Sequence, residues 1–267
     1  MEYIARYGLE FNPFLKNSKD IIIENEDFKE VRFRLNYLLD TKGFGLLTGA
    51  PGLGKTTSLR MFASSLNPSL YKVFYNSLST VTVQEFYRSL VADLGGVPTF
   101  RKPDNFRYIQ DSINRLAIEK RITPVIIIDE ANHISNAILN DLKILFNFEM
   151  DSRDRAVVLL AGLPQINNTL SLSCHEALRQ RIIMNYSMEG LTKEEGRLYI
   201  EKKLEGAGCK QKVFDEAAVE AILNNASGTP RIINNLCNAC MLIGNSKGSS
   251  IINADIAMAA ISEKQLC

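Results

Sequence analysis

Apolar residues follow two different rhythms along this chain, and the change falls near residue 190. Before it, short apolar runs stand at 43–48, 71–75, 124–128, 156–161 and 182–188. Runs of that length without polar alternation read as strands buried on both faces, the pattern of a parallel sheet. Between them, apolar residues recur with helical spacing. Phe28, Val31, Leu35, Leu38 and Leu39 mark one such stretch at 25–40. Leu59, Phe62, Ala63 and Leu66 mark another at 56–66, and 83–94, 104–121 and 136–149 follow. The alternation predicts an α/β fold, a five-stranded parallel doubly wound sheet with helices on both faces. Ligands of such sheets sit at the carboxyl ends of the strands.

Beyond Gly190 only the helical rhythm persists, at 193–206, 215–226, 230–245 and 254–264. Thr192 with Glu195 makes a capping box for the first of these, and Thr229–Pro230 sets a cap before a first-turn proline for the third. This is a separate helical domain, so the chain divides into an N-terminal segment 1–24, an α/β body 25–190 and a helical domain 191–267. Residues 1–20 read as irregular, because Gly8 and Pro13 interrupt any helix.

Chemistry enters directly after the first apolar run. Residues 49–57, GAPGLGKTT, have the GxxxxGK[ST] form of a phosphate-binding loop between a strand and a helix. Gly49, Gly52 and Gly54 let the backbone turn tightly and point its N–H groups at anionic oxygens, with Ala50, Pro51 and Leu53 completing the loop. Lys55 reaches the β- and γ-phosphates as a point charge, the Thr56 hydroxyl takes a place on Mg²⁺, and Thr57 continues into the helix. The positive end of that helix faces the same phosphates. A nucleoside triphosphate is the expected ligand.

The run VIIIDE at 125–130 ends a buried strand in two carboxylates, which is costly unless they face a polar site. Asp129 is expected to hold the water shell of Mg²⁺, and Glu130 to orient and deprotonate the water that attacks the γ-phosphate. A kinase would also need an acceptor site, and the sequence offers no signal for one. The segment YGLEFNPF at 7–14 has two readings. It is either a strap packed on the core or, through Phe11, Pro13 and Phe14, a lining for the nucleotide base.

Charge narrows the partners only slightly. The 267 residues carry 31 basic and 30 acidic side chains, so no global field draws nucleic acid or anionic lipid. Any DNA contact must come from a local patch. Cys174, Cys209, Cys237, Cys240 and Cys267 are odd in number and irregular in spacing, which suits a reducing compartment. The CxxC of Cys237 and Cys240 lies in a helical run and reads as buried small side chains. His133 and His175 are too few and too far apart for a metal site. No apolar stretch reaches about 18 residues and the N-terminus lacks a signal-peptide pattern. The expectation is a cytoplasmic, nucleoid-associated protein without a membrane partner.

GAPGLGKT, VIIIDE and an α/β body followed by helices together resemble the AAA+ ATPases over residues 20–265, with the helical domain as their lid. YGLEFNPF, LLAGLPQI at 159–166, LRQRI at 178–182 and SGTPRIINNLC at 227–237 resemble a narrower group. These are the ExeA/GspA-type ATPases and the transposition ATPases of the TniB/TnsC and phage Mu B kind. The resemblance implies ATP/ADP and Mg²⁺ as cofactors and further site residues. Arg181 matches an arginine finger that serves the neighbouring subunit, with Arg179 as its competitor. Arg231 matches the sensor-2 arginine, and Asn76 the polar residue that restrains the catalytic glutamate. The sensor-1 position at the end of the fourth strand departs from the pattern, because Gly162 and Leu163 stand there. Either Gln165 substitutes or the residue is missing and hydrolysis is slow.

ExeA-type proteins carry a membrane segment and a peptidoglycan-binding module after the ATPase, and this sequence shows neither, which favours the transposition branch as an expectation. That branch implies an ATP-dependent ring or filament on duplex DNA that marks a target and recruits a transposase, with a target-selector protein as a further partner. Hydrolysis is then slow and partner-stimulated. Ser79, Thr80, Thr82, Thr99, Arg101, Lys102 and Arg107 are the candidate phosphate contacts, against ordinary solvated loops. The alternative is an ExeA/GspA-like switch that couples nucleotide to a protein partner without DNA.

Overall fold

In the computed structural model, which describes residues 2–19, 21–77 and 80–265, the apolar runs pair into one sheet. Its strands are β1 (Gly43–Gly49), β2 (Tyr71–Asn76), β3 (Thr123–Ile128), β4 (Val157–Gly162) and β5 (Ile182–Met188). They lie in the order β2-β3-β4-β1-β5, and every pairing is parallel. The central strands β1 and β4 are buried along their whole length, which is why their sequences are apolar without alternation.

Side-chain alternation divides the sheet into two faces. Phe44, Leu46, Ile126, Ile128, Val158 and Leu160 join one core cluster with the buried side chains of α4 (Val83–Asp93), α5 (Lys102–Asn114) and α6 (Asn136–Leu145). On the other face Gly45 admits α2 (Glu26–Thr41), since a Cβ there would stand 2.4 Å from Leu38 Cδ2. Helix α3 (Lys55–Ser65) leaves the loop after β1 and buries Leu59 and Phe62. The doubly wound sheet predicted from the alternation is the one observed.

Details depart from the periodicity. The pattern at 104–121 is α5 followed by a π-helical turn, Arg115–Glu119. The pattern at 136–149 stops at Leu145, because Phe146 caps the helix outside helical geometry. Residues 2–6 form a short helix α1 (Glu2–Arg6) that the irregular reading missed. Gly8 and Pro13 act only after that helix has ended, and Tyr3 and Tyr7 anchor it by burial. Two further short helices, α7 (Gln165–Leu170) and α8 (Glu176–Gln180), lie between β4 and β5.

The chain resolves into two compact units. One comprises Glu30–Pro51 and Lys55–Met188, and contains the sheet; the other comprises Met1–Lys29, Gly52–Gly54 and Glu189–Cys267. The second unit holds α9 (Lys193–Gly206), α10 (Glu216–Ala226), α11 (Pro230–Ser246) and α12 (Ala254–Gln265). Thr192 and Glu195 form the expected capping box of α9. The N-terminal segment belongs to this core: Tyr7 is fully buried and Phe14 packs edge-on against Phe214 at 6.4 Å. Asp27 accepts from the backbone of Glu189 and Gly190 at 3.0 and 2.8 Å. Cys237 and Cys240 are fully buried, and burial pushes both thiols up, Cys240 to about 12. No helix among the described residues is long and apolar enough to cross a membrane.

Candidate functional site

The loop between β1 and α3 has the backbone its glycines permit. Gly52 and Gly54 lie at φ +86° and +103°, where side-chain-bearing residues are strained. Lys55 is buried at the start of α3, and its ammonium donates to the carbonyls of Gly49 (2.8 Å) and Ala50 (3.1 Å). Ala50, Pro51, Thr56 and Thr57 are exposed, and Leu53 is buried. A lysine held at the loop by its own carbonyls is already placed where anionic oxygens would approach.

The second edge of the site comes from β3. Asp129 follows the strand and is only 2% exposed. The Thr56 hydroxyl donates to its Oδ2 at 2.9 Å, which joins the phosphate loop to the strand tip. The Tyr75 hydroxyl donates to the same oxygen at 2.8 Å, and the Glu130 amide takes Oδ1 at 2.9 Å. Burial, with Asp129 and Glu130 nearby, pushes the Tyr75 phenol up to about 12. Glu130 itself is exposed and sits at φ 52°, ψ 36°, a left-handed conformation uncommon for glutamate. Such a conformation persists only where the surrounding structure holds it.

Thr56 and Asp129 are hard oxygen donors held side by side, the kind of set that suits Mg²⁺. Among the described residues no group of three His, Cys, Asp or Glu could hold a metal alone. An ion held by these two donors would keep waters of its own and share a phosphate oxygen.

The end of β4 accounts for the missing side chain there. A Cβ on Gly162 would stand 2.9 Å from both the amide nitrogen and Oδ1 of Asn132. Asn132 lies in the short turn Ala131–His133 just after Glu130, and its Oδ1 accepts from the Leu163 amide at 2.9 Å. The polar group beside this strand end thus comes from Asn132, while Gln165 is exposed at the start of α7. Asn76 is buried, and its amide donates to Ser89 of α4 at 2.9 Å. It also bonds to Asp93, whose carboxyl burial pushes up. Those contacts tie Asn76 to α4.

The arginines differ in setting. Arg181, just past α8, donates to the Lys143 carbonyl of α6 at 2.6 Å and is partly buried. Arg179 is exposed and bonds to the Ser171 carbonyl at 3.3 Å. In the helical unit, Arg231 is exposed at the start of α11, and its amide donates to the Gly52 carbonyl at 3.3 Å. Gly52 has no room for a side chain, because a Cβ would come within 2.8 Å of Arg231 Cβ.

One group of expected contacts needs correction, and a second has local partners of its own. Pro13 and Phe14 are buried in the core of the helical unit and have no face left for a base, and Phe11 packs partly buried beside them. The strap is the reading that survives for this segment. Of the candidate DNA contacts, Ser79 lies outside the described residues. Thr82 caps α4, Thr99 is bonded to buried Asn105, and Lys102 is paired with Asp141 at 2.5 Å. Their polar groups serve local structure. Thr80, Arg101 and Arg107 are exposed.

Tyr75 and Asn132 are the site residues that reading the sequence missed. Neither belongs to a phosphate-loop or strand-tip motif, and each is placed by strand pairing or by the turn after Glu130.

Residues 38–170 match the family model described as an AAA domain. With this sheet order, the phosphate loop after β1 and the helical C-terminal region, the protein has the fold of the AAA+ P-loop NTPases. It is similar to General secretion pathway protein A of Aeromonas hydrophila, at 30% identity over 266 residues. That match covers 97% of this chain and 48% of the relative, so the chain spans about half the relative's length. Among solved structures, the ORC2 protein of Aeropyrum pernix, in ADPNP-ADP complexes, aligns with a TM-score of 0.67 at 18% identity over 94% of this chain and 71% of that one. The ORC1 protein of Aeropyrum pernix in complex with DNA aligns with a TM-score of 0.66 at 18% identity, covering 94% and 68%.

Proposed function

We propose that this chain is an ATP-hydrolysing switch whose ATP-bound form assembles with copies of itself, as a ring or a filament, and holds duplex DNA as a regulator of transposition. The observation that carries the ATPase part is the junction of Thr56 with Asp129, which brings the phosphate loop and the acidic strand tip to one point. Lys55 would meet the β- and γ-phosphates, with the N-terminal end of α3 behind it. Thr56 would hold Mg²⁺ directly and Asp129 through water; the ion would neutralise charge developing on the phosphates. Glu130 would take the proton of the attacking water. Asn132 would fill the sensor-1 role in place of Gln165, and Arg231, whose amide bonds to Gly52 of the loop, would serve as the sensor-2 arginine.

A neighbour's Arg181 or Arg179 would complete the site by stabilising transition-state charge. ATP then bridges two copies, and hydrolysis removes the bridge and releases them. Slow turnover raised by partners suits a timer of this kind. For DNA, the support is the loop before α5, where Arg101 is exposed beside Phe100, with Thr80 and Arg107 also exposed. Contacts of that sort go to the phosphate backbone. A transposase and a target selector would be the protein partners, and the work would be done in the cytoplasm at the nucleoid.

A second reading is favoured by the similarity to General secretion pathway protein A along nearly the whole chain. In it, the same switch acts on a protein partner and DNA has no part. Electron microscopy and ATP turnover of the purified protein, each with and without duplex DNA, separate the two. The DNA reading predicts ATP-dependent rings or filaments on DNA and faster turnover in its presence. Assembly and turnover that ignore DNA would leave the protein-partner switch.

A further inference from the structure

Tyr75 sits one position before the end of the edge strand β2, and pairing with β3 sets it opposite Ile127, two residues before Asp129. Its side chain is about half exposed, at 48%, yet its hydroxyl reaches inward to Asp129 Oδ2 at 2.8 Å. Asp129 is buried, and a buried polar group is stable only where partners replace the lost water. Three do so here: the Thr56 hydroxyl, the Tyr75 hydroxyl and the Glu130 amide. The amide holds one oxygen and the hydroxyls share the other. Thr56 stands in the first turn of α3 and Tyr75 on β2, so the two hydroxyls reach Oδ2 from different elements.

We propose that Tyr75 is a positioning residue for metal-assisted nucleotide binding, its hydroxyl fixing the Asp129 carboxylate in the orientation that receives the hydrated ion. The inference rests on the nucleotide-binding reading and extends it to a residue outside both phosphate-site motifs. Groups that orient a carboxylate beside a metal commonly account for about 10–100-fold in metal affinity when removed.

The test uses Tyr75→Phe, which keeps the ring, and Tyr75→Leu, which removes it. A fluorescent ADP analogue is titrated onto each protein, first with chelator and then with increasing Mg²⁺. Chelated binding is expected to match the unaltered protein, while the Mg²⁺ midpoint rises about tenfold in both variants. Saturating Mg²⁺ is expected to restore full binding. An unchanged midpoint in Tyr75→Phe, with normal nucleotide binding, overturns the inference alone. A loss of binding equal with and without metal, accompanied by a lower melting temperature, overturns it in favour of a purely structural tyrosine. Failure of the unaltered protein to bind the analogue overturns both this inference and the nucleotide reading beneath it.

Discussion

In the proposed site Lys55 would serve binding and Glu130 the chemistry. Lys55 is a buried cation bonded to its own loop, so Lys55→Ala removes the positive charge that phosphate would meet. Labelled-nucleotide fluorescence should then show no binding. Glu130 makes its backbone bond to Asp129 whatever its side chain. Glu130→Gln should therefore bind nucleotide normally and lose turnover by about 100-fold or more in a phosphate-release assay. Normal turnover would remove Glu130 from the chemistry. His175 carries a different prediction. It is fully buried, with Nε2 on Asn136 Oδ1 at 2.9 Å and Nδ1 without a partner. Burial, with Lys143 adding, holds the imidazole below its ordinary value. The unfolded chain then takes up the proton more readily than the folded one, so stability is full above about pH 6.5 and falls as pH drops through that value. Urea unfolding from about pH 7 to 5 should show a flatter dependence in His175→Gln than in the unaltered protein.

At the scale of elements, the turn after β3 and the end of β4 are built against each other. In Gly162→Ala the new methyl would press on the backbone nitrogen and side chain of Asn132. That turn begins at Glu130, so turnover should fall along with stability, by about 1–3 kcal/mol in thermal unfolding. This packing also marks the limit of what the sequence disclosed. The inner strands β1, β3 and β4 were legible because burial on both faces leaves unbroken apolar runs, and the phosphate loop because glycine, lysine and hydroxyl must follow in fixed spacing. The helical region after Gly190 was legible from its periodicity and from the Thr192–Glu195 capping box, whereas the Thr229 side chain makes no capping bond to α11. Tyr75 and Asn132 were not, since neither has a partner nearby in sequence. Tyr75 meets Asp129 only once β2 is in register with β3, and Asn132 meets Gly162 only once β3 lies beside β4. The segment 7–14 was left with two readings for the same reason: Phe14 finds Phe214, 200 positions along the chain.

For the whole molecule, the proposed site is one that a second copy would complete. Arg181→Ala and Arg179→Ala should each bind nucleotide, and the one that removes the finger should lose turnover. Mixing that variant with Lys55→Ala should restore some activity across a range of ratios, because the intact arginine of one copy can serve the intact loop of the other. No recovery at any ratio would count against action between copies. The most direct measurement is the mass distribution of Glu130→Gln protein in solution, taken with ATP and again with ADP. The account predicts large assemblies with ATP and mainly single chains with ADP. The same distribution with both nucleotides would contradict it.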